Sequence, residues 1–433
     1  MADHVPATNP PESECIKAGQ RIYLRLPSGN FKPVKPVPGE LIRLGKFGSF
    51  MGESIIGTPF GLTFEVYDRN LVRPVRPESL SAVEETGANN QEIVDEASSQ
   101  QLSYEEIEAL KKSSLQGDVS HDQIISKVVE NNVAFNKKTE YSKAKYIARK
   151  QKKFHKVFST VAPTLHNMCS IATAKNPLRT RGLRVDTLSQ MLTSVNVNAY
   201  SRLLVVDDTK GLLLCAALTR ISSNGLVLAL HEGDSPNNEM LDYMPLPQDV
   251  RSQLHFLSWS RVSKDRAASF REEDTSAMDA TDLKGYQRRR KAFLRLQAAQ
   301  DTFWAGGFDG LLIASQYEPV SILNELAPLL GGSRPVVIYS PDKESLVEAA
   351  AHMKSSPDFL MPQISESWMR EYQVLPGRTH PTMNMSAGGG YLLTALRVYD
   401  SPENIPTYST ARLAPGSISR SGRVSAVKLA ATE

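Results

Sequence analysis

Between about residues 180 and 400, short apolar runs alternate with amphipathic stretches, and this constrains the fold more than any other feature. RLLVVDD, GLVLALHE, FDGLLIAS, RPVVIYS and YLLTALRVY read as strands, with GLLLCAALTRI, PVSILNELAPLL and KESLVEAAAHM as helices between them. Continuous apolar strands separated by helices build right-handed βαβ units, hence a largely parallel sheet covered on both faces. The expectation is a Rossmann-like α/β domain over residues 180–400, carrying a charged insertion at 262–300.

The remaining organisation follows from punctuation and composition. A chain of 433 residues exceeds one ordinary core. From residue 16 to 88, runs such as IYLRL, LIRL and LTFEVY between Pro and Gly turns predict a small barrel-like β domain, with Phe47, Phe50, Phe60 and Phe64 supplying much of its core. Gly45, Gly48, Gly52, Gly57 and Gly61 serve its turns, because GKFGS lacks the spacing and the G-K-[ST] ending of a P-loop. Residues 89–160 read as helical, beginning with SYEEIEALKKSSLQG and HDQIISKVVENN. Residues 1–15 and the Ser, Pro, Ala and Arg-rich 401–433 are expected to be disordered. With no apolar run near the roughly 20 residues of a membrane span, and no signal peptide in MADHVPATNPPESEC, the expected address is cytosolic or nuclear. Cys15, Cys169 and Cys215 are too scattered for a zinc site or a disulfide framework.

A Rossmann-like sheet holds its cofactor at the carboxyl end of the first strands, on a glycine-rich turn. Here the turn after Val206 offers Asp207, Asp208, Thr209, Lys210 and a single glycine, Gly211, so S-adenosylmethionine should fit poorly. Glu232 ends the second strand, where an acid can bind a ribose diol, but a solvated strand end is the commoner role for such a residue. Glu318 is the one acid near the end of FDGLLIASQYEP, where a catalytic group would sit; beside Pro319 it reads instead as a helix-start residue. No catalytic, cofactor or metal set can be assembled, and the His in RTHP at 378–381 stands alone.

Residues 136–156, NKKTEYSKAKYIARKQKKFHK, carry nine Lys or Arg against one acid, Glu140. As a helix they would show only a thin apolar stripe of Tyr146, Ile147 and Phe154, so the cations face solvent or a polyanion. Candidate RNA contacts are Lys137, Lys138, Lys143, Lys145, Arg149, Lys150, Lys152 and Lys153, extended by Arg179 and Arg181 in LRTRGLR and by Arg378. A solvated charged helix and a nuclear localisation signal compete for the same residues; RRRK at 288–291 is less specific still, with nuclear targeting one use open to it.

Together LGKFGSF at 44–50, IIGTPFGLTFE at 55–65, NQEIVDEASSQQLSYEEIEALK at 90–111, KTEYSKAKYIARKQKK at 138–153 and RTHPTMNMSAGGGYLL at 378–393 resemble the non-catalytic subunit of the eukaryotic tRNA (adenine-58-N1)-methyltransferase. The resemblance spans most of residues 16–400. It implies a methyltransferase-type domain without a working cofactor site, in a nuclear heterotetramer of two non-catalytic and two catalytic subunits. This subunit would help hold tRNA while its partner binds S-adenosylmethionine and methylates the T-loop adenine. Alternatives are an active S-adenosylmethionine-dependent RNA methyltransferase with an unusual pocket around Glu232, and an RNA-binding translation initiation component.

Overall fold

The structure is a computed structural model and describes residues 15–68, 70–75, 105–106, 121–132, 135, 143, 146–147, 156–275, 278–374, 379–385 and 388–399. The expectations for residues 1–14 and 401–433, and for most of 89–155, lie outside the described residues.

In the N-terminal part the strands are β1 (Ile22–Arg25), β2 (Phe31–Val34), β3 (Leu41–Arg43), β4 (Ser49–Met51), β5 (Thr63–Asp68), β6 (Leu71–Val75) and β7 (Val157–Val161). Five form one antiparallel sheet in the order β2-β1-β7-β5-β6, while β3 and β4 pair separately. The sheet is open, with β2 and β6 at its edges, so the barrel expected from the turn spacing is not what forms. Its central strand, β7, arrives only after the basic segment and within the range read as helical. Val157, Ser159 and Val161 alternate with buried Phe158 and Thr160, a five-residue pattern overshadowed in the sequence by the cations preceding it. Phe158 stacks on Phe50 at 4.5 Å and on Phe64 at 5.6 Å, joining the expected core aromatics. Helix α1 (His121–Glu130) matches HDQIISKVVE.

The larger part comprises α2 (Leu165–Lys175), α3 (Val185–Ser194), β8 (Arg202–Asp207), α4 (Leu212–Leu218), β9 (Leu226–His231), β10 (Leu254–Ser258), α5 (Ala280–Ala305), β11 (Gly310–Ala314), α6 (Pro319–Leu326), β12 (Arg334–Ser340), α7 (Lys343–Ser355), β13 (Phe359–Trp368), β14 (Tyr372–Gln373), β15 (His380–Pro381) and β16 (Gly388–Arg397). Seven strands form one sheet in the order β10-β9-β8-β11-β12-β16-β13. The first five are parallel; β16 runs antiparallel to both β12 and β13. From β8 the chain steps outward to β10, then returns to the other side of β8 with β11. That reversal makes the sheet Rossmann-like and opens a crevice at the carboxyl ends of β8 and β11.

The segment 262–300 is the connection this reversal requires. A strap covering 264–275 folds back on α5, a 26-residue helix opened by Asp279, whose carboxylate accepts from the amides of Thr281 and Asp282. One face of the sheet is covered by α2, α3 and α4, the other by α5, α6 and α7. The N-terminal sheet docks on the first face, where Tyr23 stacks on Tyr243 at 5.0 Å and Arg21 pairs with Asp242 at 3.3 Å.

Candidate functional site

The crevice at the switch point is bridged by the chain's own polar groups. Asp207, at the end of β8, turns its carboxylate back into the following turn, accepting from the Thr209 amide and hydroxyl at 2.6 Å each and from the Leu214 amide at 3.0 Å. Burial pushes its carboxyl above the ordinary range, against the pull of those donors. Asp208 crosses to β11: its amide donates to the Ala314 carbonyl at 2.9 Å, and its carboxylate accepts from the Ser315 hydroxyl at 2.7 Å and the Gln316 amide at 2.9 Å. Each hydrogen bond to a carboxylate contributes roughly 1.5–3 kcal/mol. A ligand parting Asp208 from both donors would thus forfeit about half the free energy of micromolar binding.

The turn is also covered from above. Gly211 has φ +86°, and a Cβ there would lie 3.1 Å from Asn238 Cα, while the Met240 amide bonds the Lys210 carbonyl at 3.0 Å. The loop after β9 thus lies where a dinucleotide or adenosine would approach the backbone. Of the two acids considered from the sequence, one is likewise engaged. Glu318 caps α6, accepting from the amides of Val320 and Ser321 at 2.7 Å each, as its place beside Pro319 indicates. Glu232 is exposed; burial foremost, and the negative charge of Glu232 after it, push the Tyr317 phenol up to about 12.

A second concavity, of about 260 Å³, lies between the N-terminal sheet and the first face of the Rossmann-like part, lined in part by Tyr23, Phe31, Lys175, Arg179, Lys210 and Tyr243. Lys210 pairs with Glu239 at 2.7 Å, and this ammonium foremost, with Arg179 and Lys175 adding to it, holds the Glu239 carboxyl below the usual range. Lys175 and Arg179 are exposed and have no ion pair among the described residues. Tyr23 and Tyr243 are only 4% and 6% exposed, so this floor offers no ring face for stacking a base. What remains is a cationic mouth suited to phosphate.

Of the candidate RNA contacts, Arg179 sits at this mouth, on the turn after α2, with its amide donating to Asn176 Oδ1 at 3.2 Å. Arg181 adopts a left-handed conformation, φ 53°, and its carbonyl accepts the Tyr339 hydroxyl at 2.8 Å. Lys143 is half-buried with its ammonium 5.8 Å from the Phe135 ring. Lys137, Lys138, Lys145, Arg149, Lys150, Lys152, Lys153 and Arg378 lie outside the described residues. The sequence did not single out Lys175, the one Lys or Arg of its helix, which becomes a neighbour of Arg179 only through the turn at 176–178.

The Gcd10p family pattern matches residues 15–287. A protein of Debaryomyces hansenii named as a tRNA (adenine(58)-N(1))-methyltransferase non-catalytic subunit is 31% identical over 417 residues, covering 90% of this chain and 88% of its own. Proteins of the same name from Schizosaccharomyces pombe and Mus musculus are 29% and 27% identical, covering 90% and 91% of this chain and 93% and 91% of their own. With the family pattern spanning well over half of its length and a 31% identical relative aligned along nearly all of it, the chain belongs to the Gcd10p family.

Proposed function

We propose that this chain is the non-catalytic, tRNA-binding subunit of a tRNA (adenine-58-N1)-methyltransferase complex, pairing with a catalytic subunit that binds S-adenosylmethionine. The observation that carries the reading is the crevice itself: the fold of a cofactor enzyme is kept while Asp208 bridges to Ser315 and Gln316 across the switch point and Asn238 packs over the turn at Gly211. Membership of a family whose relatives bear that subunit's name supports it. An active methyltransferase centred on Glu232 would have to displace this set.

On this reading RNA is held by phosphate contacts from the basic segment at 137–153, from Arg179 and Arg181, and from Arg378. Lys175 joins Arg179 at the cleft mouth. The assembly has two copies of each subunit and works in the nucleus, and in this chain the N-terminal sheet is completed by β7, which follows the basic segment, before the chain enters the Rossmann-like part.

Two experiments test it. The purified subunit should show no saturable heat of S-adenosylmethionine binding by calorimetry, and a micromolar isotherm would refute the reading. In the complex with its catalytic partner, Lys175→Glu with Arg179→Glu should weaken tRNA binding about tenfold and flatten the salt dependence by about two phosphate contacts. Assembly should be unaffected. Wild-type affinity at low salt in the doubly reversed complex would remove the cleft from the RNA-binding surface.

A further inference from the structure

Helix α5 carries a row of cations that the cleft and the basic segment leave unused. Tyr286, Phe293 and Gln300 recur every seven residues and form its inward seam. Phe270 of the strap lies 5.6 Å from the Tyr286 ring and 5.2 Å from the Phe293 ring, and Gln300 bonds the strap's backbone. Two arginines of the RRRK run serve this side: Arg290 donates to Glu272 at 3.2 Å and Arg289 pairs with Glu273 at 3.6 Å. The run is therefore split by the helix.

At about 100° per residue, Lys284, Arg288, Lys291 and Arg295 fall within about 60° of arc on the side opposite Tyr286 and Phe293, over a rise of about 16 Å. All four are exposed, and none has an ion pair among the described residues. The acids of the helix, Asp282 and Asp301, fall off this row, whose continuation is Ala298 and Thr302. Like charges four residues apart on a helix repel one another. No counter-charge within the described chain offsets that repulsion, whereas a polyanion laid along the row would.

We propose that Lys284, Arg288, Lys291 and Arg295 form a second docking surface for the phosphate backbone of RNA, contacting it without reading sequence. The proposal rests on the tRNA-binding role given above. This row stands on the helix layer that covers the sheet face opposite Tyr23 and Tyr243, so it is separate from the Arg179 cleft. With no shared partners, the two surfaces should contribute additively.

The test uses the full complex with the catalytic subunit and a tRNA transcript, titrated by fluorescence anisotropy over a salt series. Replacing the row by Lys284→Gln, Arg288→Gln, Lys291→Gln and Arg295→Gln should weaken binding at least tenfold near physiological salt and lower the slope of log affinity against log salt by about 3. The control is Arg289→Gln with Arg290→Gln, which removes equally near cations from the strap side and should leave the slope within one contact of wild type. A row variant with wild-type affinity and slope overturns the proposal, as does an equal loss in the control, which would make the effect one of folding. Intact tRNA binding with failed assembly of the row variant would make the row a protein contact and likewise overturn it. A wild-type complex that does not bind tRNA at all would refute the proposed function itself, which keeps the two failures apart.

Discussion

Gly390→Ala will lower the melting temperature of the protein by roughly 5–15 °C, from a loss of about 2–5 kcal/mol. Gly390 begins the well-packed part of β16 with φ +79°, and a Cβ built there lies 2.5 Å from Tyr339 Cε2 and 2.8 Å from its hydroxyl. Tyr339 has nowhere to go, being 1% exposed with its hydroxyl held by the Arg181 carbonyl at 2.8 Å. Left-handed backbone accounts for about 1–2 kcal/mol of the loss and overpacking a closed site for about 1–3 kcal/mol. The comparison is Gly388→Ala, whose Cβ would meet only the flexible end of Glu366 at 3.1 Å and should shift melting by no more than a degree or two. Equal melting of the two variants in a calorimetric scan would show that the Tyr339 wall yields. The glycines of GGGYLL, within one carrier of the family resemblance, thus have a packing reason: a Cβ built on Gly389 would run into the buried Ser367 and Thr187 hydroxyls, which bond each other, and lie 3.0 Å from Arg184 Nη2.

How much of this could be read beforehand depended on whether a residue's partners were near in sequence. The strands β8, β9, β11 and β12 were legible because burial on both faces makes them continuously apolar. The flanking β10 and β13 were not. They are the sheet's edges, and β13 carries Pro362 within a register shift next to Met361 at φ 54°. At the crevice, the poverty of glycine was visible at once and Glu318 could be placed as a cap from its neighbours. The bridge from Asp208 to Ser315 spans 107 residues and has no local signature. Composition exposed the basic segment. Composition also merged the RRRK run and the strap into one charged insertion, where helical phase separates structural arginines from outward-facing ones.

Gln300→Ala tests the joint that keeps that separation. Gln300 is 1% exposed, and its amide nitrogen donates to the carbonyls of Arg261 and Arg266 at 2.9 Å each while its oxygen accepts from the Ala268 amide at 2.7 Å. Removing it leaves three backbone groups to find water or go unpaired, at about 1 kcal/mol for each bond and more for any group that stays buried. A local loss of about 3–5 kcal/mol is large beside the few contacts holding a strap. Hydrogen exchange over residues 264–272 should accelerate by about two to three orders of magnitude, since 1.4 kcal/mol corresponds to a factor of ten. Val262 should stay anchored, because its carbonyl accepts from the Trp304 ring at 2.8 Å. Unchanged exchange would mean that Phe270, packed on Tyr286 and Phe293, holds the strap without Gln300. Freed from Glu272 and Glu273 in an opened strap, Arg289 and Arg290 become unpaired cations. The variant should then bind RNA no more weakly than wild type at low salt, the opposite of the loss expected when the outward row is neutralised.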